Sequence, residues 1–253
     1  MKTFDTNLIL GKPTTHNSGF DSVEQLLHEM DQHDIARGFV THLAGSVYDA
    51  RVGNDLLFQN MQDAASGKCR LIPIPVVDIR GLPVDRTWGQ WEEAGVRGVR
   101  VCPSLHGRGG SESATRDFLE RLNSKGWFLQ VPIIPYYRTS LETGSVSDAV
   151  FFASLMSDLP VLVVGVSRKL FIELLTALSS TPNLYLDVGN LSTGTGIPDL
   201  VDAGFGRRLV CGSGAGVSCI TPFRDVVLYS GISQEASQLI LYDNAIRLSR
   251  LPE

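Results

Sequence analysis

The sequence predicts an α/β protein that forms one (β/α)8 TIM barrel over residues 1–253. Its 253 residues match the roughly 250 that such a barrel takes. Short β-branched runs alternate with helical patterns, and repeated strand–helix units without long antiparallel hairpins favour a parallel sheet. An open doubly wound sheet would carry a Gly-x-Gly-x-x-Gly turn after its first strand, where this chain reads Gly11-Lys-Pro-Thr-Thr. A closed barrel is therefore the expected architecture.

The strands and helices account for the chain in order. Eight strands are predicted at residues 3–10, 37–42, 70–77, 98–102, 128–134, 161–166, 184–188 and 209–212. Helices are predicted at residues 22–32, 49–66, 85–94, 114–125, 147–157, 169–179, 197–203, 222–230 and 234–250. The run at 159–166 is apolar on both faces, as a strand covered by helices must be. Asp21, Ser147 and the pair Thr221-Pro222 are the expected helix starts.

Charge and composition exclude several classes of protein. The chain carries 22 Lys and Arg against 27 Asp and Glu, a net charge of −5, whereas nucleic-acid binders are usually basic. A hydrophobic fraction of 43% excludes a disordered chain. No apolar run suits a membrane span and no signal peptide is visible, so we predict a cytoplasmic protein without a membrane partner. The four cysteines lack a Cys-x-x-Cys spacing, which argues against a disulfide framework or zinc knuckle.

Two histidines lie where barrel enzymes carry their chemistry, at the carboxyl ends of strands. His42 follows the second predicted strand and His106 follows the fourth. An imidazole there could act as an acid, a base or a hydrogen-bond donor to an anion. A structural role in the loops is the alternative for both residues.

Polar residues within the strands are further candidates for binding. Arg100 lies inside the fourth strand, and if it points inward it needs a partner, because an unpaired buried charge is costly. Asp187 on the seventh strand is the expected partner, either in a ligand site or in a purely structural pair. Asn7 on the first strand either binds a ligand or is tied to the backbone.

The loops contribute the remaining candidates. Tyr136, Tyr137 and Arg138 form an aromatic and cationic cluster after the fifth strand, where an arginine could bind a carboxylate. Ordinary packing of the tyrosines in the loop is the alternative. Arg51 begins the second helix beside His42. Ser213 opens a glycine-rich loop after the eighth strand, and a similar loop follows the seventh. Such loops bind phosphate in some barrels and simply make tight turns in others.

Several stretches together resemble the amidohydrolase superfamily, in its single-domain, decarboxylase-like group. They are, in order, Phe4-Asp-Thr-Asn-Leu-Ile-Leu-Gly11, Leu27-His-Glu-Met-Asp-Gln-His-Asp-Ile35, Gly38-Phe-Val-Thr-His42, Ala50-Arg-Val-Gly-Asn-Asp55, Arg70-Leu-Ile-Pro-Ile-Pro75, Gly95-Val-Arg-Gly-Val-Arg-Val-Cys-Pro103 and Arg208-Leu-Val-Cys-Gly-Ser213. The resemblance covers nearly the whole chain, and it implies an amidohydrolase-like barrel with hydrolase activity.

The positions that the resemblance assigns to metal ligands carry other residues. It implies two histidines on strand one, histidines on strands five and six, and an aspartate on strand eight. The corresponding residues here are Asn7, Ile9, Pro132 and Gly214, and the sixth strand has no histidine. Isoleucine, proline and glycine side chains cannot ligate a metal, so we expect neither a metal nor another cofactor.

Three functions stay open. The first is a metal-free descendant that binds a small anionic molecule through Arg100, His42, His106 and the Tyr136 cluster, with little or no hydrolysis. The second is a metal-independent, lactonase-like hydrolase with His42 or His106 as general base. The third is a sugar-phosphate-binding barrel. The sequence also leaves open whether the chain is an enzyme and whether it forms a homo-oligomer.

Overall fold

Parallel β-strands alternate with helices along the chain. The structure, a computed structural model, describes residues 1–13, 19–63, 70–107, 111–133, 143–191, 196–220 and 222–251. The strands in these ranges are β1 (Thr3–Leu10), β2 (Ile35–His42), β3 (Leu71–Pro73), β4 (Gly98–Arg100), β5 (Phe128–Pro132), β6 (Val161–Val164), β7 (Leu184–Asp187) and β8 (Leu209–Val210). Each of the eight predicted strands is confirmed, several of them with a shorter carboxyl end than predicted.

Helices connect successive strands. They are α1 (Val23–Gln32), α2 (Leu43–Val47), α3 (Ala50–Asp63), α4 (Asp85–Glu93), α5 (Pro103–His106), α6 (Glu112–Ser124), α7 (Val146–Leu155), α8 (Phe171–Ser180), α9 (Gly196–Asp202), α10 (Pro222–Leu228), α11 (Gln234–Gln238) and α12 (Asn244–Ser249). A π-helical segment (Leu239–Asp243) joins α11 to α12, so the helix predicted at 234–250 is divided.

The strands close into a ring. Strands β1, β2 and β3 form one parallel sheet, and β4 to β8 form a second in sequence order. At one junction, the Arg100 N–H donates to the Pro75 carbonyl at 2.8 Å. At the other, the Thr6 N–H donates to the Cys211 carbonyl at 3.0 Å and the Ile9 N–H to the Ala215 carbonyl at 2.9 Å. Backbone hydrogen bonds thus join both pairs of sheet edges, which gives the predicted (β/α)8 barrel.

The core has an outer and an inner part. The outer part packs the strands against the surrounding helices, as burial under helices on a parallel sheet requires. The inner part contains Phe4, Phe39 and Phe128, whose rings follow one another at centroid distances of 4.7 and 4.9 Å. Tyr242 of the π-helical segment packs on Phe4. In the described part of the chain, this region of the barrel interior is therefore lined by apolar side chains.

Two expected helix starts are wrong by one or two residues. Helix α1 is capped by Ser22, not Asp21, because the Ser22 hydroxyl accepts the Gln25 N–H. Helix α7 is capped by Ser145, not Ser147. The Ser145 hydroxyl accepts the Asp148 N–H, and the Asp148 carboxylate accepts the Ser145 N–H in return.

The structure also informs two of the composition arguments. In the described part of the chain, no helix has the length and apolar character that a membrane crossing needs. Cys102 and Cys211 are buried, as expected of small apolar residues, whereas Cys219 is exposed. Cys69 lies outside the described residues.

Candidate functional site

An irregularity in β1 turns polar groups into the barrel. Asp5 pairs with Gly38 of β2 and Leu8 pairs with Val40, so β1 holds one residue more than its partner between these pairs. Extra residues of this kind re-aim side chains and occur often beside active sites. The Thr6 carbonyl accepts a hydrogen bond from Gln130 Nε2 of β5 at 2.9 Å. This bond crosses from β1 to β5 rather than to a neighbouring strand.

A buried network links β1, β4 and β5 across the barrel. Arg100 is 3% exposed. Its Nε donates to Gln130 Oε1 at 2.8 Å and its Nη2 to Asn7 Oδ1 at 2.6 Å. The expected pairing of Arg100 with Asp187 is corrected, because the hydrogen bonds described for each of them involve other groups. We call Asn7, Arg100, Gln130 and the Thr6 carbonyl the barrel network.

The Asn7 side chain presents an unused donor. Its Oδ1 accepts from Arg100, so the amide orientation is set and Nδ2 must face the other way. Asn7 is fully buried, and Nδ2 has no hydrogen-bond partner among the described residues. A Cβ placed on Gly214 would lie 3.6 Å from this Nδ2. The donor is thus directed toward the end of strand β8.

Two buried carboxyl groups flank the turn that follows β8. Asp5 Oδ1 accepts the N–H groups of Asn7 and Ser213 at 2.9 and 3.0 Å, and Oδ2 accepts the Ser213 hydroxyl at 2.5 Å. Asp187 Oδ1 accepts the N–H groups of Gly189 and Gly212 at 2.9 and 2.7 Å. Asp187 Oδ2 receives only a long contact from the Gly165 N–H, at 3.4 Å.

Burial makes both carboxyl groups weak acids. Loss of hydration raises the pKa of Asp5 to about 6, although its hydrogen bonds with Ser213 and Asn7 oppose the shift. Burial raises the pKa of Asp187 to about 7, and the neighbouring Asp5 charge adds to the rise. Both groups therefore exchange protons near neutral pH, where an exposed carboxyl group would be ionised.

Side chains of Asp187, Thr6 and Asn7 all lie close to the position that a Cβ on Gly212 would occupy. A Cβ at Gly212 would lie 2.7 Å from Asp187 Oδ2, 2.8 Å from Thr6 Oγ1 and 2.9 Å from Asn7 Cβ. Only glycine fits this approach. Thr6 Oγ1 is buried and, like Asn7 Nδ2, has no hydrogen-bond partner in the ranges that the structure describes.

His42 caps a helix with one of its nitrogens. It precedes α2, and its Nδ1 accepts the Ala44 N–H at 3.2 Å. Partial burial lowers the pKa of the imidazole, so it is neutral at pH 7 with its proton on Nε2. In this tautomer His42 can donate a hydrogen bond, but Nδ1 is not available as a base.

His106 is the more base-like of the two histidines. It lies at the end of α5 and is 9% exposed, and burial lowers its pKa against the opposing charge of Asp78. Its imidazole hydrogen-bonds to the Ser46 backbone. Its Nδ1 is buried without a hydrogen-bond partner in the described part of the chain. Asp78 itself is held by Arg80, whose Nη2 lies 2.8 Å from its carboxylate.

The remaining predicted site residues are dispersed. Ser213 lies in the turn after β8, where its hydroxyl donates to Asp5 and accepts the Ala215 N–H. Arg51 is exposed and lines a groove of about 1430 Å³ between α3 and α4. Tyr136 and Arg138 lie outside the described residues.

Asp5, Thr6 and Gln130 were not predicted as site residues. Asp5 and Thr6 lie within the strand-one stretch that carries the family resemblance. A polar residue inside an otherwise apolar strand was the available signal for Gln130.

Two of the positions that the resemblance assigns to metal ligands carry no side-chain ligand atom. Ile9 packs in an apolar cluster with Leu43 and Val217. Gly214 lies in the turn after β8 with a φ of +69° and has no side chain that could ligate a metal. Within the described ranges, no group of three or more His, Cys, Asp and Glu side chains is arranged to hold a metal ion.

Comparison with solved structures defines the fold. Dihydroxybenzoic acid decarboxylase from Polaromonas sp. JS666, solved with manganese and 2-nitroresorcinol, matches with a TM-score of 0.74 at 13% identity, over 98% of this chain and 96% of that chain. A 2,6-dihydroxybenzoate decarboxylase in complex with 2,6-dihydroxybenzoate matches with a TM-score of 0.71 at 13% identity, over 99% of this chain and 99% of that chain. This chain has the amidohydrolase-like barrel fold.

A third similar structure is a hydrolase. The probable 2-pyrone-4,6-dicarboxylic acid hydrolase from Acinetobacter baumannii, with citric acid bound, matches with a TM-score of 0.68 at 14% identity, over 99% of this chain and 100% of that chain. No protein-family model matches the sequence, and no curated protein matches it either. At these identities the likeness shows the fold and leaves the activity to be argued from the site.

Proposed function

We propose that this protein binds a small carboxylate inside the barrel, near the ends of β1 and β8, without a divalent metal and with little or no hydrolysis. The observation that carries the proposal is the buried Nδ2 of Asn7, which has no hydrogen-bond partner among the described residues. A buried donor without a partner costs about 1–3 kcal/mol, and an acceptor atom of a ligand would remove that cost. The Arg100 hydrogen bond holds the donor in place.

A carboxylate is the acceptor that suits this surrounding. The cationic guanidinium of Arg100 adjoins the Asn7 amide, and charge-assisted hydrogen bonds favour an anion. The Thr6 hydroxyl offers a second buried donor beside Asn7. Two of the similar structures contain citric acid and 2,6-dihydroxybenzoate, which are small carboxylates. These two molecules are therefore the first probes for this chain.

Weak or absent metal-assisted hydrolysis follows from the groups that are present. Metal-dependent hydrolysis needs ligands that hold the cation and leave one position open for water. Ile9 and Gly214 supply no ligand atoms, and Asn7 Oδ1 is engaged with Arg100. His42 Nδ1 is engaged with the Ala44 N–H. Binding is therefore better supported than metal-assisted catalysis.

A metal-independent hydrolase is the second candidate, because one observation favours it. His106 is neutral near pH 7 and its Nδ1 lone pair has no partner among the described residues. A general base needs such a lone pair. This candidate predicts a slow lactonase activity that His106→Gln abolishes and that chelators leave unchanged.

The phosphate-binding alternative has less support. In the turn after β8, the N–H groups of Gly212 and Ser213 donate to Asp187 and Asp5, and the Ala215 N–H donates to the Ser213 hydroxyl. The N–H groups of Val217 and Ser218 donate to the Gly214 carbonyl. A phosphate site needs N–H groups that point outward. The loop after β7 lies partly outside the described residues.

Substitution of Asn7 tests the proposed function. Asn7→Asp keeps an oxygen for Arg100 and replaces the donor with an acceptor, so the fold is retained and the carboxylate is repelled. Calorimetric titration of citrate and 2,6-dihydroxybenzoate into chelator-treated protein measures the affinity. We expect binding to the wild type and at least about a tenfold loss of affinity in Asn7→Asp.

The matched control is Asn60→Asp on α3. Its amide donates to the Leu56 carbonyl of its own helix, away from the barrel network. This variant is expected to bind as the wild type does. Equal affinity of the wild type and Asn7→Asp, with both folded by circular dichroism, would remove Asn7 from the site and contradict the proposal.

A further inference from the structure

Asp187 lies beside Thr6, which supplies the second buried donor of the proposed carboxylate site. A Cβ built on Gly212 would lie 2.7 Å from Asp187 Oδ2 and 2.8 Å from Thr6 Oγ1. It would lie 2.9 Å from Asn7 Cβ. An anion that accepts from Thr6 Oγ1 therefore comes close to the Asp187 carboxyl group. Two ionised carboxylates at such short range in a buried site repel each other strongly.

The two oxygens of Asp187 differ in their hydrogen bonding. Oδ1 accepts two short N–H bonds, from Gly189 and Gly212. Oδ2 has only the 3.4 Å contact from the Gly165 N–H. A proton on the carboxyl group therefore belongs on Oδ2, since this oxygen gives up less hydrogen bonding. Oδ2 is also the oxygen that lies close to the Cβ position of Gly212, beside Thr6 Oγ1.

Among the described residues, the groups that hydrogen-bond to Asp187 or shift its pKa add no positive charge. Asp5 of β1 adds a negative charge that disfavours ionisation of Asp187. Burial and the two carboxyl groups raise the pKa of the Cys211 thiol of β8, so this thiol is neutral. The remaining contacts from β6 and the turns after β7 and β8 are backbone N–H groups.

We propose that carboxylate binding takes up one proton from solvent, held on Asp187 Oδ2, which then donates a hydrogen bond to the bound carboxylate. This inference rests on the proposed function and adds its regulation by pH. No bond of the ligand breaks, and the proton returns to solvent when the ligand leaves. Asp187 is thus a binding residue that works only in its protonated form.

Proton uptake and carboxylate binding are coupled near neutral pH, because Asp187 ionises in this range. Its pKa, raised by burial to about 7, leaves a large share of molecules protonated at pH 7 before the ligand arrives. A second negative charge raises the pKa further, so binding draws in a proton. Affinity is then constant below neutral pH and falls about tenfold per pH unit above it.

The experiment is a calorimetric titration of 2,6-dihydroxybenzoate at about pH 6 and pH 8, a probe whose carboxyl group is ionised throughout. Titration in two buffers of different ionisation heat counts the protons taken up. We expect about tenfold weaker binding at pH 8 than at pH 6, and uptake of about one proton at pH 8. Asp187→Asn, which imitates the protonated form, should bind equally at both pH values without proton uptake.

Two further variants distinguish titration of Asp187 from titration of other carboxyl groups. Asp202→Asn, at an exposed position on α9, should keep the pH dependence of the wild type. Asp5→Asn should also keep it, with a midpoint moved toward lower pH, because it removes the charge that raises the Asp187 pKa. Unchanged pH dependence in folded Asp187→Asn overturns the inference and leaves the proposed function intact. Absence of binding at both pH values overturns the inference and the proposed function together.

Discussion

At the scale of single residues, the buried carboxyl groups of Asp5 and Asp187 are the unusual feature of the barrel. Carboxyl groups are rarely fully buried without a cation beside them. Here backbone N–H groups and the Ser213 hydroxyl donate to the carboxyl groups in place of a cation. The effect of burial is larger than that of these hydrogen bonds, so the pKa rises to about 6 for Asp5 and about 7 for Asp187. Such groups hold protons in the folded protein that the unfolded chain releases.

These shifts predict how stability depends on pH. Each raised pKa contributes stability that is fully present below the unfolded value near 4 and is lost as pH rises through about 6 to 7. We expect the melting temperature to fall between about pH 5 and pH 8, and Asp187→Asn to reduce that fall. Calorimetric melting across this range measures the effect.

The control for this prediction is Asp202→Asn, because it changes the same chemical group at an exposed site. It should follow the wild-type curve. A melting temperature that depends on pH equally in Asp187→Asn and the wild type would show that Asp187 is ionised throughout.

The sequence identified some residues of the site but not their partners. Asn7, Arg100 and Asp187 were recognisable because polar residues inside strands demand an explanation. The pairing of Arg100 with Asn7 and Gln130 was not recognisable, because it depends on the extra residue in β1 and on which strands face each other across the barrel.

At the scale of elements, the short helices that follow β2 and β4 position both histidines. His42 caps α2, and His106 ends α5. With five and four residues, these helices are too short to show a periodic pattern in the sequence. The longer helices were predicted to within a few residues for the opposite reason. Their ends shifted where a cap such as Ser145 lay outside the periodic segment.

The contact between α2 and α3 gives a prediction about stability. A Cβ on Gly53 would lie 2.0 Å from the Gly45 nitrogen, so the two helices approach with no room for a side chain. Gly53→Ala should therefore cost about 3 kcal/mol of unfolding free energy or more, at the upper end of overpacking effects. Urea-induced unfolding measures it.

Gly89→Ala is the matched control, because Gly89 is also inside a helix but nothing lies within 4 Å of its Cβ position. This variant should gain up to about 1 kcal/mol from the better helix propensity of alanine. If both variants changed the stability in the same direction, packing between α2 and α3 would not explain the glycine at position 53.

At the scale of the whole molecule, the alternation of strands and helices was enough to predict the barrel. Its closure rests on bonds between residues far apart in sequence, such as the Thr6 N–H and the Cys211 carbonyl. Closure also places the polar groups of β1, β7 and β8 together, so the proposed site depends on the complete ring. The sequence alone could single out Asn7 and Asp187 as candidates. It could not show that they lie close together beside Gly212 and Thr6.

Metal independence of ligand binding is the most direct test of the central claim. Protein purified without chelator is analysed for metal by elemental mass spectrometry, then stripped and titrated with 2,6-dihydroxybenzoate, with and without added Mn²⁺. The account predicts less than about a tenth of an equivalent of metal and the same affinity in both titrations. Stoichiometric metal, or binding that appears only after Mn²⁺ is restored, would contradict it.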